Sequence, residues 1–315
     1  MTLNQTFTAA TVLSLLAAVS PALAQGADTA TVKAIVTATG KGNESPAPLL
    51  QQNLQVQVGG KSAPVTDLVP LSGDRAGLEL VILIDGATRT SIGTQFGDIE
   101  RFVNSLPPTT SVGIAYMENG RAVFSQPLTA DKAQALKALR LPIGTPAVSA
   151  SPYFCLSDLA KHWPSNNPEN RREVVMVTDG VDPYNLRFDP DNPYVQAAIE
   201  DSIRAGLIVH SIYWHNQGRY DRSLYQNNAG ESLLDIVTQA TGGKAYWQGI
   251  GNPVSFAPFF DDLNRRLQNQ YELGFDAPVK SKPEIVNLKV KLHEPEVKID
   301  APQRVLVAPT GVARD

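Results

Sequence analysis

Residues Leu78–Ile84 read LELVILI, and six of the seven are apolar. Val81, Ile82 and Leu83 are consecutive, so a strand here is apolar on both faces. That pattern belongs to strands inside a parallel sheet covered by helices. The run ends at Asp85-Gly86, after which Phe96, Ile99, Phe102, Val103 and Leu106 recur at helical spacing. Strand, carboxylate, loop and helix deliver Asp85 to the crevice where open α/β sheets hold ligands. A second buried strand, Arg172–Thr178, ends the same way at Asp179-Gly180.

Between and beyond these strands the pattern alternates. Ser111–Met117 and Ala122–Gln126 flank an Asn119-Gly120 turn and read as a hairpin whose short member is an antiparallel edge. Helices are predicted from Asp131 to Leu139, from Ser151-Pro152 to Trp163, from Asn192-Pro193 to Ala205, from Glu231 to Thr241 and over Val254–Gln268. Leu141–Ala150 reads as irregular. Leu207–Trp214 and Lys244–Trp247 are further strands. Strands separated by helices of this length imply an α/β, Rossmann-like, mostly parallel sheet flanked by helices.

Both ends differ from the middle. Thr31–Thr39, Gln55–Val58 and Val65–Leu71 are strands without helices, the last two reading as a hairpin across Gly59-Gly60-Lys61. Tyr271–Phe275, Ile285–Leu292 and Val305–Ala308 are of the same kind. The two ends are expected to pair in one sheet of a small β-subdomain, giving segments 25–75, 76–269 and 270–315. Residues 1–24 read as a signal peptide: Ala9–Val19 is uncharged and apolar, Pro21 breaks it, and Ala22-Leu23-Ala24 offers small residues for cleavage. No later stretch has 18 unbroken apolar residues, so an exported, periplasmic or secreted chain with no further membrane span is expected. Asn43-Glu44-Ser45 matches a glycosylation sequon.

Composition excludes some functions. The 27 basic and 31 acidic residues argue against nucleic acid, whose binders carry a basic face. The sole cysteine, Cys155, sits in an apolar helical stretch and reads as packing. There is no His-Glu-x-x-His, Gly-x-Ser-x-Gly, phosphate loop or Cys-x-x-Cys, so an enzyme is not expected. His210 and His215 face opposite sides of a strand and cannot share an ion; His210 reads as a hydrogen-bonded core residue. Val181–Asn192 holds Asp182, Asp189 and Asp191, which could bind Ca²⁺ but match ordinary turn chemistry. The segment Tyr213–Tyr225 carries Tyr213, Trp214, His215, Arg219 and Tyr220. These are residue types that anchor protein interfaces or finish a core.

The two Asp-Gly ends, with Thr241-Gly242-Gly243, Lys244-Ala245-Tyr246, Gln270–Phe275 and the extended Asn53–Pro64, resemble a von Willebrand factor type A domain of the bacterial exported branch. The resemblance implies a divalent cation held by an Asp-x-Ser-x-Ser run, a Thr before a helix and a later Asp. Asp85 and Asp179 match the two aspartates, and Ser151 takes the place of the Thr. The two serines fall on Ala87 and Arg89, so the site is degenerate. Arg89 either neutralises Asp85 or Asp179 or lies in solvent while Asp85 caps the following helix. No cofactor is expected, Mg²⁺ being the disfavoured alternative. The resulting expectation is a non-catalytic module that recognises a protein partner at the carboxyl edge of the sheet without a metal. The alternatives are an envelope scaffold with a vestigial site, metal-dependent adhesion, and a hydrolase of unrecognised type.

Overall fold

The structure, a computed structural model, describes residues 29–42, 44–142, 151–215, 223–249 and 251–309. The expected signal peptide, Asn43 of the sequon, most of the irregular stretch at Leu141–Ala150, and Arg219 and Tyr220 lie outside them.

Strands β1 (Thr29–Thr39), β2 (Leu54–Val58), β3 (Lys61–Ala63) and β4 (Val65–Pro70) come first. Then β5 (Leu78–Asp85) runs into a 3-10 stretch at Gly86–Gln95 and α1 (Phe96–Ser105). Next are β6 (Thr110–Glu118), β7 (Arg121–Thr129), α2 (Lys132–Lys137), α3 (Pro152–Lys161) and β8 (Arg171–Thr178). They are followed by α4 (Pro193–Arg204), β9 (Leu207–Tyr213), α5 (Leu224–Thr241), β10 (Ala245–Tyr246) and α6 (Ala257–Gln268). The chain closes with β11 (Gln270–Pro278), β12 (Glu284–Leu292), β13 (Lys298–Asp300) and β14 (Arg304–Val307).

The central sheet has the order β10-β9-β8-β5-β6-β7. All its neighbours are parallel except β6 and β7. Counted within this unit, the order is 6-5-4-1-2-3, the doubly wound Rossmann arrangement whose switch point lies between the first and fourth strands, here β5 and β8. Every residue of β5 is buried because the strand serves two cores. Leu80, Ile82 and Ile84 pack with Phe102 of α1 and Phe260 of α6. Val81 and Leu83 pack with Leu156 of α3, Ile199 of α4 and Leu233 of α5. Burying such side chains on both faces contributes about 1.5–3 kcal/mol each.

The terminal segments form two sheets where one was expected. One has the order β13-β1-β11-β4 and the other β14-β12-β2-β3. They share a core of Val32, Val36, Val56, Phe275, Leu288 and Val305, so they form a sandwich. The expected hairpin partner is also different. Val58 pairs with Lys61 across Gly59-Gly60, whose positive φ angles of 56° and 80° suit a tight two-residue turn. Pro64 then carries the chain into the other sheet, where β4 pairs with β11.

Helix starts follow their side chains. Ser151 and Asn192 cap α3 and α4, each followed by Pro. Helix α5 begins at Leu224, seven residues before the expected Glu231, because Ser223 and Gln226 form a capping box. Helix α6 has no cap of its own. Asp98 of α1 supplies one, its Oδ2 accepting from Phe256 N at 2.8 Å and Ala257 N at 3.1 Å. Burial works to raise the Asp98 carboxyl; hydrogen bonds from Ser255, Arg101, Ala257 and Phe256 outweigh it and hold it below the usual carboxylate value. Asp98→Ala is expected to cost about 0.5–2 kcal/mol in chemical denaturation at neutral pH. Because the folded carboxyl titrates below its unfolded value, the difference between variant and parent should be complete above that unfolded value. It should shrink as pH falls through the lowered one.

Candidate functional site at the carboxyl edge of the sheet

Asp85 is the last residue of β5 and stands at the switch point. Its Oδ1 accepts from Ala87 N at 2.8 Å, and its Oδ2 accepts from Thr178 Oγ1 of β8 at 2.6 Å. The carboxylate thus caps the 3-10 stretch with one oxygen and bridges two strands with the other. Thr88 is buried and donates back to the Asp85 carbonyl at 2.7 Å. Asp179 is buried, and its Oδ1 accepts from Val181 N at 3.0 Å. Ser151 is fully buried and its hydroxyl accepts from Tyr153 N at 3.3 Å.

Of the three residues matched to a cation site, Asp85 and Ser151 thus cap helical starts and Asp179 holds a turn in its own loop. Their donor set fits a hard cation poorly. Such an ion takes six or more oxygens, whereas positions 87 and 89 hold Ala and Arg. Thr88, one residue out of register, turns its hydroxyl into the backbone, and Thr90 is exposed. The backbone of Arg89 lies in the 3-10 stretch, and its side chain is outside the described residues. Among the described residues no group of three or more His, Cys, Asp or Glu is arranged to hold a metal ion.

The loop after β8 is built from side chain to backbone. Asp182 is fully buried; its Oδ1 accepts from Tyr184 N at 3.1 Å and its Oδ2 from Asn192 Nδ2 at 2.9 Å. Asn185, Asp189 and Asn192 each accept from the backbone two residues on. This is turn chemistry of the ordinary kind. It holds the loop in shape and projects its apolar residues outward.

Two members of the expected recognition surface belong to the core. Trp214 is 3% exposed and Tyr213 is 2% exposed. Trp214 packs edge-on against Phe256 with ring centroids 5.3 Å apart, and its Nε1 donates to Ser91 Oγ at 3.1 Å. The cause is position: Tyr213 ends the buried strand β9 and Trp214 comes directly after it, where the Trp214 ring joins the core that α6 covers. His215 is half-buried, its Nδ1 lies 3.3 Å from the Tyr213 hydroxyl, and its carbonyl accepts from Asn252.

The exposed aromatic residues lie next to that position. Tyr184 is 64% exposed and Tyr225 57%. With Leu186, Phe188, Tyr194 and Leu224 they make six of the eleven large apolar side chains exposed among the described residues. Phe154, Tyr184 and Tyr194 form a ring cluster with centroids 4.7 to 6.2 Å apart. The Tyr225 hydroxyl accepts from Phe188 N at 3.3 Å, tying the loop to the start of α5. Sequence reading passed over this group because its Asp, Asn and Pro residues dominate the segment. The available signal was Tyr184, Leu186 and Phe188 inside a turn-rich loop, where apolar residues have no core to enter.

No family profile matches the sequence, and no curated protein does. Among solved structures the chain is similar to an aerotolerance-related membrane protein from Bacteroides fragilis NCTC 9343, at 15% identity and TM-score 0.44, over 61% of this chain and 98% of that one. It is similar to BatB from Bacteroides thetaiotaomicron at 15% identity and TM-score 0.42, over 61% and 97%. It is also similar to the VWA domain of SpRpn10 at 14% identity and TM-score 0.37, over 59% and 93%. At these identities the likeness concerns fold alone. The strand order and the antiparallel edge make the α/β unit a doubly wound, Rossmann-like sheet flanked by helices.

Core and surface aromatics at this edge should separate in stability measurements. Trp214→Ala is expected to cost about 3–5 kcal/mol. Tyr184→Ala should stay within about 0.5 kcal/mol of the parent. Urea unfolding of both variants checks the assignment.

Proposed function

We propose that the chain is a non-catalytic, exported protein-recognition module that binds its partner through the Tyr184–Tyr225 surface, without a bridging metal ion. The observation that carries this reading is the clustering of exposed aromatic and aliphatic side chains on one structured loop and the two helix starts beside it. Contiguous apolar surface of this kind marks interaction sites, and Tyr is among the residues that dominate binding energy. The loop is held by Asp182, Asn185, Asp189 and Asn192, so little ordering cost attends binding. Local structural roles for Asp85, Asp179 and Ser151 support a site that has exchanged ion coordination for local structure. The apolar run and small residues within 1–24 support export. None of the described helices is long and apolar enough to cross a membrane.

An envelope scaffold is the second reading. Side-chain links between the sandwich and the α/β unit, Gln270 to Glu173, Arg266 to Asp300 and Arg304 to Gln196, favour it, since they would let one part carry an assembly contact for the other. The test is affinity capture from envelope extract, with and without a chelator, followed by calorimetry on the captured protein. Tyr184→Ser, Phe188→Ser and Tyr225→Ser should each weaken binding, by about 1–4 kcal/mol where the residue is a hot spot. The chelator should change nothing. Full affinity in the triple variant removes the surface from the account, and binding abolished by chelator restores the metal-dependent alternative.

A further inference from the structure

At the opposite edge of the α/β unit, between the sheet's amino-terminal end and the sandwich, lies a cleft of about 810 Å³. Seven Lys and Arg residues line it against three carboxylates, in a chain whose net charge is −4. Part of that excess has an ordinary cause. Lys161 and Arg204 stand in the last turns of α3 and α4, and Arg172 donates to the carbonyls of Ala205 and Ser165. Cations at helix carboxyl ends are expected.

Four others remain: Lys33 on β1, Arg75 before β5, Arg171 at the start of β8 and Arg304 on β14. Lys33 and Arg75 share one carboxylate, Glu272, at 2.8 and 3.5 Å. Arg304 donates to the neutral Gln196 amide at 2.7 Å. Arg171 is 8% exposed and donates to the Leu71 carbonyl at 3.3 Å. Its Nε has no hydrogen-bond partner among the described residues. Its near charge is Glu173, which is already engaged by His210 and Gln270 at 2.8 Å each. A buried guanidinium costs several kcal/mol unless it is paired, and low-dielectric walls focus the field of the others into the cleft.

We propose that this cleft binds a small oxyanion, an organic carboxylate or a phosphate, held by Arg75, Arg171 and Arg304. Guanidinium groups match both anions through paired N–H donors. Because walls from both the sandwich and the α/β unit contribute cations, a bound anion also fastens the two parts together.

The probes are inorganic phosphate, pyrophosphate and citrate, titrated calorimetrically into the full chain, with sodium chloride at matched ionic strength as the reference. The two phosphates against citrate distinguish the sources of the anion. Saturable one-to-one binding of at least one probe, with a rise in melting temperature that sodium chloride does not reproduce, is the expected result. Arg75→Gln combined with Arg304→Gln should weaken binding by about tenfold or more. Lys289→Gln, on the exposed side of β12, should leave it unchanged. Arg171→Gln should abolish binding if it folds; if it does not, the double variant decides. No saturable heat from any probe, or parental affinity in a folded double variant, overturns the proposal.

Discussion

Strand β11 lies between β1 and β4, and the rest of the molecule is closed by that pairing. Its register with β1 runs from Thr29 opposite Pro278 to Thr37 opposite Gln270. The partners are more than 230 residues apart, so their pairing pays a long loop-closure entropy unless the intervening chain is already compact. The α/β unit provides that compactness. It begins at β5 and ends at α6, and only Asn269 separates α6 from β11. The two-faced burial of β5 and β8 is therefore a precondition for the sandwich, because it brings the ends of the chain within reach of each other.

The junction between the two parts is polar, and its geometry fixes one histidine. The Lys244 N–H donates to His210 Nδ1 at 3.1 Å, so that nitrogen is an acceptor. The proton then sits on Nε2, which donates to Glu173 Oε2 at 2.8 Å. Glu173 Oε1 accepts from Gln270 at the start of β11, also at 2.8 Å. Burial works against the Glu173 charge, yet the hydrogen bond from His210, the nearby charge of Arg171 and the hydrogen bond from Gln270 hold its carboxyl below the usual range. Glu79 is also buried, and its carboxylate accepts from Trp163 Nε1 at 2.7 Å and Asn170 Nδ2 at 3.2 Å. Removing one partner from such a group leaves a buried charge exposed to the full desolvation cost. The network thus sets how β11, and with it the sandwich, sits on the sheet.

Sequence made the α/β unit legible because its two central strands are apolar on both faces, and only one architecture buries such strands. Pairing at the ends was less legible. Gln55–Val58 alternates cleanly, but alternation does not say whether its neighbour is Lys61–Ala63 or Val65–Leu71. The Gly59-Gly60 turn and Pro64 decide it. The early start of α5 was present as Ser223-x-x-Gln226, hidden by the weak helix formers Asn227 and Asn228. Tyr213 and Trp214 show a different limit. An aromatic pair at a strand end reads the same whether it closes a core or faces a partner, and only the position of Phe256, some forty residues later, distinguishes the two.

The carboxyl edge repays comparison with what two aspartates at a switch point can do. Joined by added hydroxyls, they would have the oxygen ligands a hard cation takes. Here Ala87 offers a methyl and Thr88 turns inward, while Asp85 spends one oxygen on Ala87 N and the other on Thr178. On the proposed reading, recognition moves a short way along the same edge to Tyr184, Phe188 and Tyr225. The physical character of binding changes with it. An ion bridge depends on metal supply and on the protonation of its ligands. Apolar contact scales with buried area and is insensitive to both. Under that proposal the two carboxylates serve as hydrogen-bond acceptors for local backbone, and the affinity would come from side chains that the core does not claim.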